Sequence, residues 1–150
     1  MLRKWMVFGL SAGILVAFAG AGFGLTDDES ELEKVMEKVQ KANNAIKKAV
    51  RTPVAFKKMH KDAAKQSKEM VKLAKASKPI KEAVGRAKNE ANPQKKWDEM
   101  MDAFIESSEK LEETANKSEP DYDDTKKAFS ALSKTCADCH KVFRVEDEKF

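Results

Sequence analysis

Near its C-terminus the chain reads Cys136-Ala137-Asp138-Cys139-His140. This is the C-x-x-C-H pattern through which haem is attached covalently. The spacing follows from the chemistry. Two thiols add across the two vinyl groups of a porphyrin, and the imidazole beside them reaches the iron. On a helix, residues at i, i+3 and i+4 share one face, so all three groups can address a single flat cofactor.

Three other uses of these residues fit less well. A thioredoxin-type dithiol sits at a helix start after a strand, whereas this motif lies deep in a helical pattern. A zinc site needs a fourth ligand besides Cys136, Cys139 and His140. Only His60 could obviously supply it, at a spacing that matches no zinc module. A disulfide between Cys136 and Cys139 would close a tiny, strained loop within a helix.

The elements that must position this motif are four apolar stripes with a period near 3.6. The first runs through Leu32, Val35, Met36, Val39, Ala42, Ile46, Ala49 and Val50, preceded by the acids Asp27, Asp28 and Glu29. Thr52-Pro53 ends it and opens the second, as N-cap and first helical residue. The second carries Phe56, Met59, Ala63, Met70, Leu73 and Ala74. Residues 77–92 form a longer connection with room for a short helix. Asn92-Pro93 then starts a third stripe of Trp97, Met100, Met101, Phe104, Leu111 and Ala115. Pro120 breaks the chain, Asp121 or Asp123 can cap the last helix, and Phe129, Leu132, Cys136, Cys139 and Phe143 share one of its faces. Two short connections out of three predict an all-α, antiparallel up-down-up-down four-helix bundle with haem near the C-terminal end of the last helix.

Cys136-Ala-Asp-Cys139-His140-Lys141-Val142-Phe143-Arg144, at the end of a four-helix chain with an export segment, resembles the class II c-type cytochromes. These are the cytochrome c-prime family and its low-spin, methionine-ligated relatives. The resemblance implies one covalent haem c, with Cys136 and Cys139 forming the thioethers and His140 the proximal iron ligand. It also implies that Arg144 lies near a haem propionate and that Phe143 packs in the haem pocket.

The sixth iron position separates two functions, because a closed six-coordinate iron suits electron transfer and an open one binds small gases. In an antiparallel bundle His140 shares its level with the start of the first helix, the end of the second and the start of the third. Met36, Met70, Met100 and Met101 fall there. Met59 and His60 lie at the other end, about 15–20 Å away, which argues against two histidine ligands. The resemblance implies a distal residue from the first helix, and therefore Met36. The chain departs from the family in one respect: Leu32 stands one turn before Met36, where members often carry Arg.

The expected function is that of a periplasmic cytochrome carrying one electron between redox partner proteins, with His140 and Met36 on the iron. The alternative is a five-coordinate protein that binds nitric oxide or carbon monoxide, similar to cytochromes c-prime themselves. No general base, nucleophile or carboxylate pair marks an enzyme. Residues 1–24, with Arg3 and Lys4 before an uncharged run and a small-residue exit, are expected to form a signal peptide. An uncleaved anchor is the rival reading. Residues 25–150 form the cytochrome domain, with no membrane contact expected after cleavage. Dimerisation through the first two helices is common in the family, so the resemblance allows a homodimer.

The charge is mixed, 29 Lys+Arg against 25 Asp+Glu over 150 residues, for a formal +4. That balance does not suit nucleic acid, which selects a concentrated basic face. Without residues 1–24 it falls to 27 basic against 25 acidic groups, or +2. Electrostatic steering must then come from local patches, of which Lys126, Lys127, Lys134, Lys141 and Arg144 on the last helix are one candidate.

Overall fold

The computed structural model describes residues 30–87 and 89–144. The expected export segment, residues 1–24, lies outside them. Among the described residues four α-helices follow in order, α1 (Glu31–Ala49), α2 (Pro53–Ser77), α3 (Pro93–Ala115) and α4 (Tyr122–Phe143), with a 3-10 turn at Val84–Arg86.

Each helix begins where local chemistry says it should. Thr52 and Asn92 accept hydrogen bonds from the amides of Ala55 and Lys95, and each is followed by proline. Asp121 accepts from the Asp124 amide. α1 is capped by Ser30, whose hydroxyl accepts from Glu33 N while the Glu33 carboxylate accepts from Ser30 N. This reciprocal capping box satisfies two orphan donors at once. The acids ahead of Ser30, offered by the sequence as the favourable start, lie outside the described residues.

The chain direction alternates. Lys75 pairs with Glu109 at 2.7 Å, and Lys78 with Asp102, so positions that rise along α2 fall along α3. Trp97 at the start of α3 meets Phe143 at the end of α4, with ring centroids 5.2 Å apart. Phe56 and Tyr122, which begin α2 and α4, meet at 5.8 Å at the opposite end. These exposed ion pairs add little stability singly, but they fix the register of the fold: up, down, up, down.

The core is built from the predicted stripes. Ile46, Met70, Leu111 and Leu132 are fully buried. Buried hydroxyls are absorbed locally: Ser67, Ser77 and Ser108 donate to the carbonyl four residues earlier at 2.7–2.8 Å. No described buried side-chain N or O lacks a partner. α1 packs on α2, α2 on α3 and α3 on α4, while α1 and α4 make no comparable contact. The bundle therefore has three closed sides and one open one.

Leu132→Ala should cost about 2–5 kcal/mol of stability in a urea titration, because its cavity lies in a fully packed layer. Ser30→Ala should cost about 1 kcal/mol through loss of the cap. Val54→Ala, at the one large exposed apolar side chain among the described residues, should stay within about 0.5 kcal/mol.

Candidate functional site

The open side holds a cavity of 420 Å³, within the ~300–1,000 Å³ typical of sites for small molecules and cofactors. One wall is α1, through Leu32, Met36 and Val39. The opposite wall is the last two turns of α4, through Cys136, Cys139, His140 and Phe143. Trp97, Met101 and Phe104 of α3 close the back, and Ala83 and Arg86 of the α2–α3 connection also line it. Polar Glu33, Gln40, Asn43 and Thr135 stand among these apolar residues.

The helical spacing does what the motif requires. Cys136, Cys139 and His140 all line the cavity. Both thiols are free; Cys136 is half-buried and Cys139 buried. Burial pushes the Cys136 thiol upward against a weaker backbone hydrogen bond. Burial, with the neighbouring Cys136, pushes Cys139 up to about 12. Both therefore remain protonated near neutral pH, in apolar surroundings that disfavour a thiolate. Among the described residues no three His, Cys, Asp or Glu side chains group as a metal-ion site.

The other motif residues turn away from the cavity or frame it. Asp138 pairs with Lys141 at 2.8 Å, and that hydrogen bond holds its carboxyl below the usual carboxylate range. Arg144 caps α4, its backbone N–H donating to the His140 carbonyl at 3.1 Å, and it lines the cavity beside His140.

Of the four methionines expected at the level of His140, Met36 and Met101 line the cavity, whereas Met70 and Met100 do not. The reason is lateral. The end of α2 shares the axial level of His140, but no α2 residue reaches the cavity, and the Met70 side chain is fully buried. Trp97 and Phe104 line it as expected of aromatic packing, whereas Phe129 belongs to the core. His60 stands at the far end beside Phe56, with ring centroids 6.2 Å apart.

Arg86 is a cavity residue that the sequence did not single out. It lies in the irregular connection, where no periodicity assigns a face. The connection is pinned by buried Ile80, by Lys81–Asp98 at 2.6 Å, and by Trp97 Nε1, which donates to the Lys78 carbonyl at 3.1 Å. The same indole stands edge-on to Phe143, so one side chain joins the connection, α3 and the end of α4.

The donor set fits a haem. Two thiols, an imidazole and two candidate thioethers line a mostly apolar cavity, and Arg86 and Arg144 also belong to its lining. Trp97→Phe removes the indole donor and leaves the Lys78 carbonyl unpaired. It should cost about 1–3 kcal/mol and speed amide hydrogen exchange across residues 79–87.

The cytochrome C' family model matches residues 30–144, from the α1 cap to the α4 cap. No curated protein and no solved structure is a significant match. The matched span contains all four helices, the C-x-x-C-H motif and every residue lining the cavity, and the chain belongs to the cytochrome c' family of class II c-type cytochromes.

Proposed function

We propose that the protein is an exported, periplasmic one-electron carrier with a single haem c, held by Cys136 and Cys139 and ligated by His140 and Met36. When bound, haem supplies the ferric/ferrous couple. The observation that carries this reading is that Met36 and His140 line one cavity from two helices, α1 and α4, that make no extensive contact with each other.

Each residue has a defined task. Cys136 and Cys139, one helical turn apart, anchor the cofactor to α4 at two points and fix its orientation. His140 presents an imidazole nitrogen on the same face. Met36 presents a soft thioether sulfur from α1, and a thioether opposite an imidazole raises the reduction potential. The Ser30–Glu33 capping box fixes the first turn of α1 and with it the direction from which Met36 approaches. Met101 lines the back of the cavity on α3, beside Trp97 and Phe104, and packs there. Arg86 and Arg144 line the same cavity and would put cationic groups near the propionates of a bound haem. Leu32, Val39, Phe104 and Phe143 exclude water from the site.

The holoprotein should keep its pigment in acidified acetone, because the attachment is covalent. Its ferric spectrum should show the weak thioether-to-iron band. Met36→Ala should abolish that band and allow the ferrous form to bind carbon monoxide, whereas Met101→Ala should preserve the band. High-spin bands and ready carbon monoxide binding in the unaltered protein would replace this reading with the five-coordinate gas binder.

A further inference from the structure

The near-neutral net charge conceals a steep internal division. The α1–α2 hairpin, residues 31–77, carries 13 basic and 5 acidic side chains, a net of +8. Residues 78–150 carry 14 basic and 17 acidic ones, a net of −3. α2 is the extreme, with seven lysines against Asp62 and Glu69.

Six of those lysines (Lys58, Lys61, Lys65, Lys68, Lys72 and Lys75) follow one another at steps of 3, 4, 3, 4 and 3 and are all exposed. On a helix this spacing makes one band about 26 Å long that stays within about 100° of the circumference while drifting slowly around it. Extended one step toward the N-terminus, the ridge reaches Val54, the one large exposed hydrophobic among the described residues, at 66%. A solvated helix normally interleaves acids with lysines at i, i+3 and i+4. α3 does so, in Lys95–Glu99 and Lys110–Glu113. On α2 only Lys72 and Lys75 have carboxylate partners, whereas Lys58, Lys61, Lys65 and Lys68 have none among the described residues. Like charges at these spacings destabilise a helix, and an anionic surface relieves that repulsion.

Against the expectation of no membrane contact for residues 25–150, we propose that the lysine ridge of α2 docks the protein on an anionic phospholipid bilayer. The band is long and confined to one side of the helix, as an extended surface requires, and its charges are ammonium groups suited to phosphate oxygens. An apolar side chain stands at one end to enter the headgroup layer. Association is at the surface, since no described helix is long and apolar enough to cross a membrane. A second copy of the chain seated on this ridge would set its lysines against lysines of the same hairpin, whose net charge is +8, and the acids of α3 are partly engaged by Lys75, Lys78 and Lys81. Pairing through other faces of α1 and α2 leaves the ridge exposed. No α2 residue lines the cavity, so docking leaves the α1–α4 side open.

The test is co-sedimentation of the full-length holoprotein with vesicles of one part phosphatidylglycerol to two parts phosphatidylcholine, against phosphatidylcholine alone. Binding should occur only to the anionic vesicles and should vanish near 1 M salt, where the Debye length is about 3 Å. Changing Lys61, Lys65 and Lys68 together to Glu should weaken it about tenfold or more, and the same three changed to Gln by less. Changing Lys126, Lys127 and Lys134 to Glu alters net charge equally and should leave most of the binding intact. Equal losses from the two charge reversals, or equal binding to both vesicle types, would overturn the proposal. Retention on polyglutamate without vesicle binding would overturn it in favour of an acidic protein partner.

Discussion

The architecture depends on a separation rather than a contact: α1 and α4 are kept apart. Three helix pairs close in the usual way, and the fourth side opens on apolar walls. In water such walls have an unfavourable free energy that grows with their area. Two features maintain the opening. α3 packs against both α2 and α4 and forms the back of the cavity. The α2–α3 connection adds Ala83 and Arg86 to its lining. Filling the cavity with an apolar macrocycle recovers the burial that the missing α1–α4 contact gives up, so cofactor binding and fold stability are linked.

Placement on opposite walls also divides the chemistry between helices. α4 supplies the thiols and the imidazole from one face within five residues, a local arrangement set by helical geometry. α1 brings Met36 from more than ninety residues away in sequence, and only the packing of α1 on α2, α2 on α3 and α3 on α4 brings it to the same cavity. The α4 residues are placed by one helix, while the place of Met36 depends on how α1 is held at its N-terminus by Ser30 and Glu33.

Charge is distributed by the same topology. α2 is the one helix with no residue in the cavity, and it is also the most cationic. The lysines expected to matter on the last helix are less concentrated: α4 carries four against three acids, and Lys141 is paired with Asp138. Whole-chain balance hides this, because +8 and −3 are averaged over different faces of the bundle.

Much of the fold was legible in the sequence because its determinants are local. The dipeptides Thr52-Pro53 and Asn92-Pro93, the acid at Asp121 and the 3.6-residue stripes each act within a turn or two. The positions of Cys136, Cys139 and His140 on one face follow from the helical repeat alone. The Ser30-x-x-Glu33 cap was equally local and could have been read from its spacing. Axial level was also readable, which put Met36, Met70, Met100 and Met101 beside His140. Which of them line the cavity was decided only by tertiary packing, because level along a bundle says nothing about which side stays open. Met70 is lost to the α2 core, Met101 and Met36 line the cavity, and Arg86 arrives from a segment with no periodicity to place it. A helix fixes the angle between its own residues, but the gap between two helices is fixed by everything else they pack against.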